Sequence, residues 1–185
     1  MGFHTFDSDR ANRLEDPTRF KYVSVDELLA LFDPTPDSIV ADLGSGTGFY
    51  TDEIAPYAGH LYAVDVQQAM HEHYREQGVP ETVDLVTAEV ADLPFDDDGL
   101  DGVVSTMTYH EFASDAALSE LARVCRPGAR VGIADWTADG AGERGPPLEE
   151  RFDAEAAANA FEAAGFDVER AQDRRETFVI SARLE

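Results

Sequence analysis

Along this chain, short apolar runs alternate with segments whose apolar residues recur every three or four positions, the periods of buried strands and of amphipathic helices. Ser24-Val25-Asp26-Glu27 offers a capping box, and Val25, Leu28, Leu29 and Phe32 follow at helical spacing, so a helix is predicted that ends before Pro34. Residues 38–43 read as a buried strand halted by a glycine turn, 49–57 as a helix, and 61–65 as a second strand. A helix over 67–77 stops at Gly78, and strands follow at 83–86 and 100–105, the latter after the acidic turn Asp96-Asp97-Asp98-Gly99. Leu118, Leu121, Ala122 and Cys125 mark one face of a helix closed by Pro127-Gly128, and 129–135 form a fifth strand. A helix over 154–164 ends at Gly165, and strand-like runs at 166–169 and 177–183 close the pattern.

Strands that alternate with helices at this rhythm pair in parallel through right-handed crossovers, with helices on both faces of the sheet. The fold class is α/β. Ligands of such sheets bind beyond the strand ends, where 137–147, with three glycines and two prolines, forms a loop after the fifth strand. A length of 185 residues suits a single domain, taken here as 24–185, preceded by a polar N-terminal arm over 1–23.

Charge adds an unusual feature: 38 acidic residues face 14 basic ones, for a net charge of -24, and Lys21 is the only lysine. A reader of nucleic acid needs a basic footprint, so none is expected as partner. Acidity with almost no lysine resembles proteins adapted to a salt-rich, halophilic cytoplasm, where a Debye length of about 3 Å at 1 M salt removes long-range steering. No apolar run approaches the roughly 20 residues of a bilayer span, and no secretory or myristoylation signal is visible, so a cytoplasmic location is expected. Cys125, the one cysteine, can form no internal disulfide and reads as a core residue. His71 and His73, two apart on a helix, point to different faces and make no metal site, and His4 and His60 read as surface residues.

Candidate chemistry starts at the turn Asp42-Leu43-Gly44-Ser45-Gly46-Thr47-Gly48, whose glycines allow a backbone to lie close to a ligand. Asp65 ends the next strand, where its carboxylate can accept both hydroxyls of a ribose. Dinucleotide sites favour Gly-x-Gly-x-x-Gly, and here the third glycine comes one residue early.

Asp42 to Thr51 (DLGSGTGFYT), Tyr62 to Val66 (YAVDV), Ala88 to Phe95 (AEVADLPF) and Arg123 to Asp135 (RVCRPGARVGIAD) together resemble the class I S-adenosylmethionine-dependent methyltransferases. The similarity is greatest to the methyltransferase-11 group, which contains the ubiquinone and menaquinone C-methyltransferases. Leu14 to Lys21, Asp135-Trp136 and Gly145 to Arg151 look like a small prokaryotic subgroup of it. The resemblance implies a Rossmann-like three-layer sandwich around a seven-stranded, mostly parallel sheet with a reversed last strand. It also implies that S-adenosylmethionine rests its methionine part on Asp42, Gly44 and Gly46, with Ser45 and Gly48 completing the turn. Its ribose would meet Asp65 beside Val66, and its adenine Glu89, where the family usually has aspartate, and the Val90 backbone. Thr106 and Met107 would face the reacting end. Arg19 and Tyr22 are candidates for its carboxylate.

Methyl transfer is an in-line displacement that positioning alone can accelerate, so no catalytic side chain is obligatory. His110 could still serve as general base with Glu111 orienting it, or both could merely cap a helix or shape a pocket. Trp136 fits a pocket wall and a core position equally. The acceptor is expected to be a small molecule; its identity and the oligomeric state are open. Two rival functions stand beside methyl transfer: a cofactor-binding module without turnover, and a nicotinamide-dependent dehydrogenase. Arsenite methylation is disfavoured by the single cysteine.

Overall fold

The computed structural model describes residues 13–185. The first part of the arm, with His4, lies outside the described residues. Element by element, the chain runs α1 (Val25–Phe32), β1 (Ile39–Leu43), α2 (Phe49–Ile54), β2 (His60–Asp65), α3 (Gln68–Gln77), β3 (Val83–Thr87) and β4 (Leu100–Thr106). It continues with α4 (Tyr109–Phe112), α5 (Asp115–Val124), β5 (Cys125–Trp136), α6 (Ala154–Ala163), β6 (Phe166–Asp173) and β7 (Thr177–Leu184). The seven strands form one sheet in the order β3-β2-β1-β4-β5-β7-β6, parallel except for β7, which runs antiparallel to both neighbours. The expected mostly parallel sheet with a reversed last strand is present.

Period-two alternation sends the side chains of each central strand to opposite faces. Ala41, Leu43, Val103, Val131 and Ile133 pack under α5 and α6, while Val40, Val104, Ala134 and Val179 pack under α1 and α2. These are the three layers. From β1 the chain first builds outwards through β2 to β3 and then returns to place β4 on the other side of β1. Connections therefore diverge above Leu43 and Thr106, the crevice in which open α/β sheets bind ligands.

Local details follow the sequence with three differences. Ser24 Oγ accepts from the Glu27 N–H at 3.2 Å, as a capping residue should, but the Glu27 carboxylate pairs with Arg174 and Arg170 instead of returning to the cap. Helix α5 stops at Val124, and Cys125, with ψ 135°, already opens β5 beside Leu100. Pro127 disfavours helical backbone just before it, so Arg126-Pro127-Gly128 belongs to an extended segment and not to a helix end. Strands β6 and β7 are longer than the apolar runs that announced them, because β6 is an exposed edge strand apolar only near its start.

The arm packs against the domain. Asp16 caps a short 3₁₀ helix at Pro17–Lys21, and Val23 is buried with α1 and α2. Arg174 donates to the Tyr22 carbonyl and to Glu27, joining the arm to the turn before β7. Cys125 is buried and free, and burial pushes its thiol up to about 12. Among the described residues, no helix is long and apolar enough to cross a membrane.

Candidate active site

A cavity of about 1370 Å³ opens above the carboxyl ends of β1, β2, β4 and β5. Single small-ligand sites occupy roughly 300–1,000 Å³, and this cavity exceeds that range. Gly44, Ser45, Gly46, Asp65, Val66, Glu89, Val90, Thr106, Met107, His110 and Glu111 all reach its wall. Asp42 and Gly48 do not; they lie behind it.

The turn after β1 is held from within. Gly44 N–H and Ser45 N–H both donate to the Val64 carbonyl at 2.8 and 3.0 Å, and Gly46 N–H donates to Asp65 Oδ2 at 2.9 Å. Asp65 Oδ1 accepts from Gln67 N–H at 2.8 Å. Burial raises the Asp65 pKa, and these two backbone donors oppose it. Each carboxylate oxygen keeps a second lone pair.

The glycines have reasons other than closeness to a ligand. Gly44, Gly46 and Gly48 all have positive φ. A Cβ on Gly44 would lie 2.2 Å from the Thr108 methyl, and one on Gly48 would enter the Tyr74 ring at 2.3–2.5 Å. Only Gly46 faces the arm, with Leu14 at 3.2 Å from where its Cβ would be. The spacing thus records protein packing at two positions of three.

Below the turn, Asp42 is fully buried; Thr51 Oγ1 donates to its Oδ2 at 2.7 Å, and its Oδ1 has no hydrogen-bond partner among the described residues. Burial lifts its pKa to about 6, against the Thr51 hydrogen bond and the charge of Arg19, while Asp65 pushes it further up. Ser45 Oγ is buried as well, again with no hydrogen-bond partner among the described residues. Buried polar atoms in native proteins nearly always find partners, so a hydroxyl left at a cavity wall fits a ligand that supplies one. Arg19 sits over the rings of Phe49 and Tyr50, at 4.9 and 5.0 Å, and donates to the Leu14 carbonyl.

At the other end of the cavity, His110 stands on α4, one turn beyond Met107. Met107 has φ 58°, rare for a side-chain-bearing residue, and its N–H donates to Ala134 O at 2.7 Å. The partner of His110 is Asp135 at the end of β5. Its carboxylate accepts from the His110 backbone N–H at 2.7 Å, lies 2.9 Å from Nδ1, and accepts from Trp136 N–H at 2.7 Å. Glu111, the residue expected to orient His110, lies 3.9 Å from Nε2, and it is Asp135 that contacts Nδ1. Burial lowers the His110 pKa, but the hydrogen bond and charge of Asp135, helped by Glu111 and Glu150, outweigh it and raise the net value. Burial pushes Glu111 to about 7, with His110 opposing and Asp65 and Asp135 adding to the rise.

Trp136 lines the cavity, with Tyr22 against it at 4.8 Å between ring centroids and Gly145 packed on its indole. Arg151 holds the 137–147 loop by donating to the carbonyls of Pro146, Thr137 and Arg144. Other histidines stand apart: His71 is buried with Nδ1 3.1 Å from Thr87 Oγ1, and His60 pairs with Asp84 at the surface end of β2. Among the described residues, no group of three metal-ligating side chains comes together. The run Asp96 to Asp98 is an exposed turn, from which Asp97 pairs with Arg123 at 2.7 Å.

Comparison with known proteins gives this geometry a family. The profile described as a methyltransferase domain matches residues 41–133. A biotin biosynthesis bifunctional protein, BioHC, of Cellvibrio japonicus is 37% identical over 50% of this chain and 18% of its own length. A demethylmenaquinone methyltransferase of Clavibacter sepedonicus is 32% identical over 56% of this chain and 43% of its own. The chain thus spans less than half the length of these curated relatives. A SAM-dependent methyltransferase from Aquifex aeolicus has the same fold, with a TM-score of 0.88 and 28% identity over 98% of this chain and 100% of that one.

Proposed function

This chain belongs to the methyltransferase-domain family, and from that membership we propose that it transfers a methyl group from S-adenosylmethionine to a small-molecule acceptor, releasing S-adenosylhomocysteine. The observation that carries the reading is the inward-facing turn. Gly44, Ser45 and Gly46 spend their N–H groups on Val64 and Asp65, and two buried carboxylates lie beside them. A pyrophosphate needs free N–H groups, and those of the turn are committed, which argues against a nicotinamide dinucleotide. A sulfonium does not need them.

In this reading Asp65 accepts the ribose hydroxyls, Ser45 Oγ and the Gly44–Gly46 backbone hold the methionine part, and Arg19 pairs its carboxylate. Asp42 sets the potential beneath the turn. Val66, Glu89 and Val90 flank the adenine, and Thr106 and Met107 the reacting end. The bound cofactor supplies an electrophilic methyl carbon. The chain's contribution is to line up the acceptor, exclude water and take up a proton, which falls to His110 Nε2 while Asp135 fixes the ring through Nδ1. The buried His110–Asp135 pair favours an enzyme over a binding module, since binding alone does not require a held base. Residues 13–23 close one side of the cavity as an arm on the 24–185 domain. The excess of acid supports a small-molecule acceptor over nucleic acid, and a salt-rich cytoplasm as the setting.

Isothermal titration with adenosylhomocysteine in high salt tests the proposal. Binding is expected for the native chain and a loss of at least about tenfold for Asp65→Ala, from the 1.5–3 kcal/mol of a charged hydrogen bond. No binding by the native chain overturns the methyl-transfer reading; unchanged affinity in the variant overturns the placement of the ribose.

A further inference from the structure

Within the single turn of α4, successive side chains go three ways. Tyr109 is buried among Phe112, Phe161 and Phe178, and His110 turns back to Asp135. Glu111 is left on the cavity wall, its side chain 18% exposed and one oxygen 3.9 Å from His110 Nε2. Backbone sets its place beside the glycine turn. Glu111 N–H donates to the Thr108 carbonyl at 2.9 Å, and the Thr108 side chain fills the space beside Gly44, with its hydroxyl 3.4 Å from the Gly44 carbonyl. Glu111 is thus one hydrogen-bonded turn from the residue that touches Gly44. Asp65 borders the same cavity from the end of β2. Burial pushes the Glu111 pKa up to about 7; His110 on its own helix opposes the rise, and Asp65 and Asp135, from β2 and β5, add to it.

Building on the methyl-transfer reading, we propose that Glu111 is the residue by which this site tells cofactor from product: its carboxylate attracts the sulfonium of S-adenosylmethionine and has no such hold on the neutral sulfide of S-adenosylhomocysteine. The two molecules differ by one methyl group and one unit of charge. Asp65 and Asp42 act on that charge too, but Asp65 carries two backbone hydrogen bonds and Asp42 lies behind the cavity wall. Glu111 is on the wall itself, in a largely buried position where a charge acts more strongly than in water. A sulfonium nearby favours the ionised carboxyl, so binding the cofactor near neutral pH releases a proton from Glu111 and binding the product does not. His110, whose charged form Asp135, Glu111 and Glu150 support, opposes a sulfonium while it is protonated. Preference for the cofactor therefore rises with pH on both counts, and removal of the Glu111 charge separates them. After transfer the attraction lapses, which shifts the balance toward release of the product.

Isothermal titration with S-adenosylmethionine and S-adenosylhomocysteine, in high salt at pH 5.5 and pH 8.5, tests the assignment. At pH 8.5, Glu111→Gln is expected to lower the affinity for the cofactor relative to the product at least about fivefold; at pH 5.5, where the carboxyl already carries its proton, the ratio should change less than about twofold. Asp97→Asn, which removes a carboxylate of the exposed turn, should leave the ratio unmoved at both. A ratio unaltered by Glu111→Gln, altered equally at the two pH values, or altered as much by Asp97→Asn overturns the proposal while methyl transfer stands. If the native chain does not bind adenosylhomocysteine, both fall. Should the glutamine variant bind neither ligand, proton release by the native chain decides, read at pH 7 from titrations in two buffers of different ionisation heat. More protons released with the cofactor than with the product supports the proposal, and equal release overturns it.

Discussion

Replacing Asp135 by asparagine isolates the buried contact on which the arrangement of His110 depends. The carboxylate receives the backbone N–H groups of His110 and Trp136, each at 2.7 Å, and holds Nδ1 at 2.9 Å. An amide of the same shape has one acceptor oxygen, so one buried N–H must face an NH₂ group, which costs about 1–3 kcal/mol. For a chain of this size that lowers the melting temperature by about 2–4 °C per kcal/mol. The loss depends on pH with a definite sign. Because the folded pKa of His110 is raised, its imidazolium adds stability that is complete below the unfolded value of about 6.5 and fades as pH rises through the folded one. Asp135→Asn removes the main source of that rise and leaves burial less opposed. Urea unfolding at pH 5.5 and pH 8.5 should therefore show a larger penalty at the acid pH, and the acid limb of the pH–rate profile, where the rate rises as the proposed base loses its proton, should shift to lower pH. Equal penalties at both pH values, with an unmoved limb, would refute the reasoning.

Three further changes probe other parts of the molecule. Ser45→Ala removes a buried hydroxyl that has no hydrogen-bond partner among the described residues, so unfolding in urea should be unaltered while adenosylhomocysteine affinity drops severalfold; unaltered affinity would place the cofactor elsewhere. Gly48→Ala combines φ 90° with a methyl carbon inside the Tyr74 ring, and should cost about 2–4 kcal/mol of stability by urea unfolding; a neutral result would mean the turn is not packed as described. Cys125, buried and with its thiol held near 12, should resist a thiol reagent at pH 8 in the native chain and react only on unfolding.

The sequence carried the sheet because its signals are local: Ile39 to Leu43 is apolar at every position but Asp42, and Gly44 and Gly78 stand where positive φ is needed. Cys125 and β6 were misread for the opposite reason. Cys125 continues a helical spacing that Pro127 terminates early, and the exposed length of β6 is ordered by pairing with β7, which leaves no apolar pattern. Among the site residues, Asp65 could be placed from its position after a strand, whereas the Asp135–His110 pair spans 25 residues. It exists because β4 and β5 lie in register, Thr106 beside Ala134, which brings both strand ends to one level. Such a coincidence of levels is visible only after folding. The glycine triplet was legible as a turn, but two of its three members answer to Thr108 and Tyr74.

Thr108 fills the space of the missing Gly44 side chain, its hydroxyl bonds the Thr106 carbonyl at 3.0 Å, and two residues later the chain presents His110. In the proposed reading, the separation between the turn that holds the methyl donor and His110 is therefore written in backbone, as a ruler of fixed length, and not in the side chains that line the rest of the cavity. Under that proposal those walls, from Tyr22 to Pro147, can be recut for other molecules while the reach from turn to His110 stays the same.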